Sequence, residues 1–325
     1  MPVQRPAGEA ARPLAGAGSQ LRRDDPRLVE LCCQYDQIVS PFATHSLWTP
    51  TDRRADIDLA NFRADNAYLW QLRNVRARAG SRYLRYARYL HERDSQGLFD
   101  ILTEDGAFGA WTVRSRSLPP FSRDLLDSIN ELYFLDRTWA LFDQPGFSVV
   151  DIGAGYGRLA HRMAAAVPAL TRYYCVDAVP ESTFLSEYYL RYRQVAKATV
   201  VALNEINHLF HGVRPDLAVN IHSFTEMPYS AVRAWVSWLS GLRVPRLLVV
   251  VNLYGLVSSE MDGSRRDCLP LLSMYGYRLS AREPTVHDAK LRSIIGFQNH
   301  FLLFELAYPL SDAPTSAAGT NPHVG

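Results

Sequence analysis

At 325 residues the chain is long enough for one large domain or two of ordinary size. Hydrophobic residues make up 47% and charged residues 21%, the balance of a globular protein with a substantial buried core. A formal charge of +2 is too small to argue for nucleic acid or an acidic membrane as partner.

No apolar run reaches the ~18 residues that a membrane span needs. Met1 to Gln20 is rich in Ala, Gly and Pro and lacks the continuous apolar stretch of a secretory signal. Four cysteines, two of them adjacent at Cys32 and Cys33, give neither a disulfide framework nor a metal-binding spacing. A reducing cytoplasm is the expected compartment. Lys197 and Lys290 are the only lysines among 35 basic residues, a bias that reads first as genome composition.

Residues 1–24 and 311–325 hold few large apolar side chains and are expected to be a disordered leader and tail. Between them, residues 25–141 carry helical periodicity. Leu28, Leu31 and Tyr35 recur at helix spacing, as do Leu69, Leu72 and Val75. In SRYLRYARYLHER, Tyr83, Tyr86 and Leu90 form one stripe and Arg82, Arg85 and Arg88 a neighbouring one. Such arginines could grip RNA, but the favoured expectation is buried tyrosines and solvated arginines. Ser122 before DLLDSINEL is an N-cap candidate, with Asp124 favourably placed in the first turn.

From residue 142 to 310 short apolar runs alternate with helical stretches: SVVDI, RYYCV, ATVVAL, LAVNIH and RLLVVV, then YRLSA and HFLLFEL. This alternation predicts a doubly wound, mostly parallel α/β sheet covered on both faces. The last two runs show no obvious intervening helix, so the final strand is expected to be antiparallel.

The first of these strands ends in Asp151-Ile-Gly-Ala-Gly-Tyr-Gly157, and a helix opens near Arg158. Glycines there permit a tight turn and close backbone approach to a ligand, beside the unpaired N–H groups of a helix start. A dinucleotide fingerprint places its third glycine three positions after the second. That position is Arg158 here, and the glycine comes one place early, at Gly157. The second strand ends at Asp177, twenty residues beyond Gly157, where a carboxylate can accept from both ribose hydroxyls of a nucleoside. Asn204 and Glu205, after the third strand, stand where an adenine-contacting side chain is usual in such a fold, and the polarity of a turn alone would equally explain them.

The spacing D-x-G-x-G-x-G resembles motif I of class I methyltransferases, which bind S-adenosyl-L-methionine. Four segments together resemble a sugar O-methyltransferase family found in natural-product gene clusters: Phe121 to Leu135, DIGAGYGRLA, CVDAVPESTFLSEYYL and VNIHSFTEMP. They are spread over about one-third of the chain, between Phe121 and Pro228. The resemblance implies a Rossmann-like methyltransferase sheet with a helical N-terminal region helping to form the acceptor pocket. It also implies cofactor contacts at Asp151, Gly153, Ala154, Gly155, Gly157, Asp177, Ala178 and Asn220. His222 departs from the small polar residue expected at its position.

Methyl transfer to a hydroxyl needs in-line alignment and a base or metal to take the proton. His222 and Glu226, at the end of the fourth strand, are the catalytic candidates. Ser223-x-x-Glu226 also has the pattern of a helix capping box, which would make both ends structural. His208, His211 and His300 are outside candidates, and no metal spacing is visible. The expected partner is a small-molecule acceptor, a sugar or natural product, with the oligomeric state left open between monomer and homo-oligomer. An RNA methyltransferase and a non-catalytic scaffold that binds S-adenosyl-L-methionine are the alternatives.

Overall fold

Strands rich in Val, Leu and Tyr bury both faces only when helices cover the sheet on both sides, and the chain supplies those helices between successive strands. In the computed structural model, residues 10–11, 16–64, 67–68, 76–252, 255–296 and 298–307 are described. The helices α1 (Pro26–Asp36), α2 (Arg76–His91), α3 (Leu98–Ile101) and α4 (Arg123–Trp139) precede the sheet. Then follow β1 (Phe147–Ile152), α5 (Arg158–Ala166), β2 (Leu170–Val176), α6 (Pro180–Tyr192), β3 (Ala198–Val201) and α7 (Ile206–Leu209). The chain continues through β4 (Leu217–Ile221), α8 (Tyr229–Gly241), β5 (Arg246–Val251), α9 (Leu269–Met274) and β6 (Tyr277–Pro284). It closes with α10 (Ala289–Ile295) and β7 (His300–Leu306).

The seven strands lie in the order β3-β2-β1-β4-β5-β7-β6. Strands β1 to β5 are mutually parallel, and β7 runs antiparallel between β5 and β6. The fold is thus the expected doubly wound, Rossmann-like sheet, and its last strand is antiparallel as expected. The expected lack of a helix before that strand is corrected by α10. Asp288 caps it by accepting from the Leu291 N–H at 2.9 Å, and Gly296 ends it at φ 78. Seven residues are too few to display a helical period in sequence.

The chain leaves β1 toward β2 and later returns on the other side of β1 through β4. A crevice therefore opens at the carboxyl ends of β1 and β4, where open α/β sheets bind ligands. Val251 pairs with His300, so the start of β7 lies at that same edge of the sheet.

In the N-terminal region, α1 buries Leu28, Leu31 and Tyr35. Helix α2 buries Tyr83, Tyr86 and Leu90, while Arg85 and Arg88 are exposed and Arg82 is half-buried. Arg85 and Arg88 thus belong to a solvated face, as expected. The stripe Leu69, Leu72 and Val75 lies outside the described residues. No α-helix extends over residues 37–64, which run as turns and bends around one 3₁₀ turn at Pro41–Ala43. Pro41 and Pro50 interrupt the segment, and the Asp58 side chain accepts from the Ala60 and Asn61 N–H groups in place of a helical ladder.

Residues 1–9 and 12–15 of the expected leader, and all of the expected tail, lie outside the described residues. Over 16–24 the expectation of disorder is corrected: Leu21 is buried, and Arg23 donates to the Ile57 carbonyl at 3.0 Å.

Ser122 caps α4 as expected, accepting from the Leu125 N–H at 3.1 Å. Beneath this cap is a fully buried cluster of four charges. Arg63 donates to Glu104 at 2.6 Å and to Asp124 at 3.2 Å; Arg162 of α5 donates to the same two carboxylates at 3.1 and 3.4 Å. Ser122 and the Gly106 N–H add donors to Glu104, and Tyr156 of the glycine turn donates to Asp124. Burial alone would raise the Asp124 carboxyl, but the charges of Arg63, Arg162 and Arg158 outweigh it and hold the group far below the usual carboxylate range. Removing one carboxylate leaves two buried guanidinium groups sharing the other, with one positive charge uncompensated in the core. Asp124→Ala is expected to lower the unfolding free energy by ~3–5 kcal/mol in denaturant titrations. A loss below ~1 kcal/mol would show that the cluster is not the tie described here.

Candidate active site

A cavity of about 270 Å³ opens in the crevice between β1 and β4. The glycine turn forms its floor. Gly153 and Ala154 donate their N–H groups to the Val176 carbonyl, at 2.8 and 3.2 Å, which folds the turn back over β2. Gly153 adopts φ +73, and a Cβ there would overlap the Oγ and Cβ of Ser223. Gly157, at φ +82, starts α5, and a Cβ on it would come within 2.9 Å of Leu190 and 3.0 Å of Ser186 on α6. Close packing against α6 thus falls on Gly157. Arg158 turns the other way and grips Glu131 of α4 with two bonds, at 2.9 and 2.8 Å.

Of the residues expected to contact a cofactor, Asp151, Gly153, Ala154, Gly155, Asp177 and Ala178 line the cavity and Gly157 does not. Asp177 accepts from the Gly155 N–H at 2.9 Å and from the Val179 N–H at 2.8 Å. These bonds use two of the carboxylate's roughly four lone-pair sites. Burial raises Asp177 to about 7 in spite of those donors. Asp151 is likewise raised to about 7 by burial, although Tyr173 donates to its Oδ2 at 2.8 Å.

Other expected contacts are corrected. Asn204 and Glu205 are exposed on the short turn Leu203–Glu205 and do not line the cavity. Asn220 is fully buried behind the cavity and acts as a clamp. Its Nδ2 donates to the Ile152 carbonyl at 2.9 Å, and its Oδ1 accepts from the Phe224 N–H at 3.0 Å. It positions the glycine turn against the turn after β4.

His222 lines the cavity with its backbone at φ 64 and its N–H on the Val250 carbonyl at 3.0 Å. Burial, and then the charges of Arg123 and Arg158, push its imidazole down to about 4, so it is neutral at pH 7. The capping box at Ser223 and Glu226 is absent. Ser223 Oγ donates to the Ile152 carbonyl, while Glu226 accepts from Trp48 Nε1 at 2.9 Å and pairs with Arg53. Glu226 touches the cavity, but both its oxygens are spent on the segment before α2. His208 and His211 lie outside the cavity lining.

The helical region was expected to help form the acceptor pocket, but none of the residues that α4 contributes was singled out. Arg123, Asp127, Asn130 and Glu131 face the cavity from consecutive turns of that helix. Asn130 anchors the wall by donating to Tyr86 at 2.9 Å and to the Thr285 carbonyl at 2.6 Å. The available signal was a polar stripe at i, i+4, i+7 and i+8 of the helix, which ordinarily marks a solvent face. On the opposite side, Phe42, Trp48 and Tyr68 cover the cavity, with Tyr68 bonded to Ser182 at 3.0 Å. Among the described residues no group of three or more His, Cys, Asp or Glu converges as a metal site. No described helix is long and apolar enough to cross a membrane.

No family model and no curated protein matches the chain. Among solved structures it is similar to magnesium protoporphyrin IX methyltransferase from Synechocystis PCC 6803 with bound SAM, at 16% identity and TM-score 0.39, over 57% of this chain and 84% of that one. It is similar to the [4+2]-cyclase SpnF at 13% identity and TM-score 0.41, over 57% and 82%. A third is an S-adenosylmethionine-dependent methyltransferase from Clostridium acetobutylicum ATCC 824, at 12% and 0.40, over 56% and 91%. At such values the similarity says nothing about reaction or ligand.

The glycine turn yields a direct test. Gly153→Ala is expected to cost ~1–2 kcal/mol for the left-handed backbone and a further ~1–3 kcal/mol for overlap with Ser223. Combining it with Ser223→Gly should remove the second cost, giving a non-additive cycle in urea unfolding. Strictly additive losses would contradict the contact.

Proposed function

We propose that the protein is an S-adenosyl-L-methionine-dependent O-methyltransferase acting on a hydroxyl of a sugar or another small natural product. The observation that carries this reading is the continuity of the cavity. One wall is the glycine turn with Asp177, and the other is the polar face of α4, so two ligands can meet inside one enclosure.

The residues suit this cofactor. Asp177 retains acceptor sites for two ribose hydroxyls after its two backbone bonds are counted. Asp151 and the bared backbone of the turn would hold the amino-acid portion, and the glycine spacing argues against a dinucleotide. When bound, the cofactor supplies a sulfonium methyl group open to in-line displacement. The chain's own residues then have three tasks. The turn and Asp177 fix the donor end, α4 and the start of β7 orient the acceptor, and Phe42, Trp48 and Tyr68 exclude water. The sugar specificity rests on the family resemblance and on a cavity wall that offers carboxylate, amide and guanidinium partners for hydroxyl groups. Its four unpaired cysteines fit a reducing cytoplasm.

The test is incubation with methyl-labelled S-adenosyl-L-methionine and a small-molecule extract of the source cells, read by mass spectrometry. A labelled product of low mass that gains one methyl group on oxygen is expected. Label in RNA, or label nowhere, contradicts the proposal.

A further inference from the structure

We propose that Asp127 is the base that takes the acceptor's proton, so that the hydroxyl to be methylated is held against α4 on the β5–β7 side of the cavity. This inference rests on the methyl-transfer reading above. Five carboxylates line the cavity among the described residues: Asp127, Glu131, Asp151, Asp177 and Glu226. Both oxygens of Glu131 are held by Arg158, both of Glu226 by Trp48 and Arg53, and both of Asp177 by backbone N–H groups. Asp151 is 3% exposed at the root of the glycine turn, on the donor side.

Asp127 differs from Glu131, Glu226 and Asp177 in keeping one oxygen without a donor, and from Asp151, whose Oδ1 also has no partner among the described residues, in standing open to the cavity. Its Oδ2 accepts from Arg123 Nε at 3.2 Å, one turn earlier on α4, and its Oδ1 has no partner among the described residues. Its side chain is 21% exposed, open to the cavity that it lines. Asn130, one turn on, is fastened to Tyr86 and Thr285, which fixes α4 opposite the carboxyl ends of the strands. The carboxylate is therefore presented from a rigid helix, with one oxygen ready to accept.

Proton bookkeeping is complete with this residue. As the acceptor oxygen forms its bond to the methyl carbon, the carbon–sulfur bond breaks and its electron pair stays on sulfur. The hydroxyl proton passes to Asp127 Oδ1 and leaves to solvent when the product departs. Arg123, bonded to the other oxygen, keeps the carboxylate oriented throughout.

Relative basicity agrees with the geometry. The His222 imidazole, at about 4, has lost the advantage over a carboxylate that an exposed histidine enjoys. Burial raises Asp127, against the opposing charges of Arg123 on its own helix and Arg158 on α5; Asp124 raises it further. Glu131 on α4 and Tyr86 on α2 are the other titratable groups coupled to it. A base with a raised value gives turnover that climbs with pH through that value and then levels off.

The experiment compares wild type, Asp127→Asn and His222→Ala by three readouts. These are calorimetric binding of S-adenosylhomocysteine, label transfer into the extract, and a carbon-13 titration of the Asp127 carboxyl, assigned from its loss in Asp127→Asn. The Asp127→Asn protein is expected to bind S-adenosylhomocysteine within about threefold of wild type, which also shows that it is folded, and to lose transfer by ~100-fold or more. His222→Ala, whatever its effect on rate, is expected to keep the acid limb of the pH profile, because that limb belongs to Asp127. The Asp127 carboxyl should titrate above the usual carboxylate range. Retained transfer in Asp127→Asn, or a carboxyl at or below that range, overturns the assignment while leaving the methyl-transfer reading intact. A wild type that binds the cofactor product but labels nothing removes that reading, and Asp127 as base with it.

Discussion

Four buried charges hold this molecule in register. Arg63 and Arg162 share Glu104 and Asp124 in a site closed to solvent, and each pair of partners comes from a different part of the chain. Arg162 belongs to the helix that follows the glycine turn, whereas Asp124 sits in the first turn of α4. A buried pair of this kind is seldom a large net source of stability, because desolvation offsets most of the attraction. What it imposes is geometry, since any slip of α4 relative to α5 would leave a charge unpaired in the core. Tyr156 extends the constraint into the turn itself through its bond to Asp124. The two walls of the cavity are thereby fixed to one another.

The site then divides its polar groups between structure and chemistry. Glu131 and Glu226 are consumed by guanidinium and indole donors, and those residues set shape. Asn220 and Ser223 likewise spend their hydrogen bonds on the carbonyl at the end of β1. Few groups keep free capacity, and they are spatially sorted. Asp177 has spare acceptor sites on the β2 side, and Asp127 has a free oxygen on α4. A donor and an acceptor approaching from these two directions would meet over the carboxyl ends of β1 and β4, next to His222.

The fold was legible in sequence where a period or a backbone requirement writes itself into residue type. Apolar runs marked the parallel strands, and the glycines marked a turn in which side chains collide, as Gly153 and Gly157 show. Asp177 was visible because strand ends in this architecture have a fixed place. Elsewhere the local pattern gave no purchase. Ser223 and Glu226 have capping-box spacing, yet a positive φ at His222 breaks the geometry and frees Glu226 to reach Trp48 and Arg53, more than 170 residues away in sequence. Asn204 and Glu205 were placed by analogy, but the short turn that carries them leaves both in solvent. The polar stripe of α4 reads as a water-facing surface because periodicity reports that one face is polar without saying what that face meets. Only the tertiary contact, set by the buried charges, turns it into the wall of a cavity.

Calorimetric titration of the purified protein with S-adenosylhomocysteine and, separately, with NAD decides whether the glycine turn and Asp177 form the proposed S-adenosyl-L-methionine site. Ribose hydroxyls donating to Asp177 favour its ionised form, and burial has raised that group to about 7. Binding of S-adenosylhomocysteine should therefore tighten as pH rises from 6 and level off above 7, with the dependence weakened in Asp177→Asn. NAD should give no heat. Saturable NAD binding without any response to S-adenosylhomocysteine would contradict the account at its root.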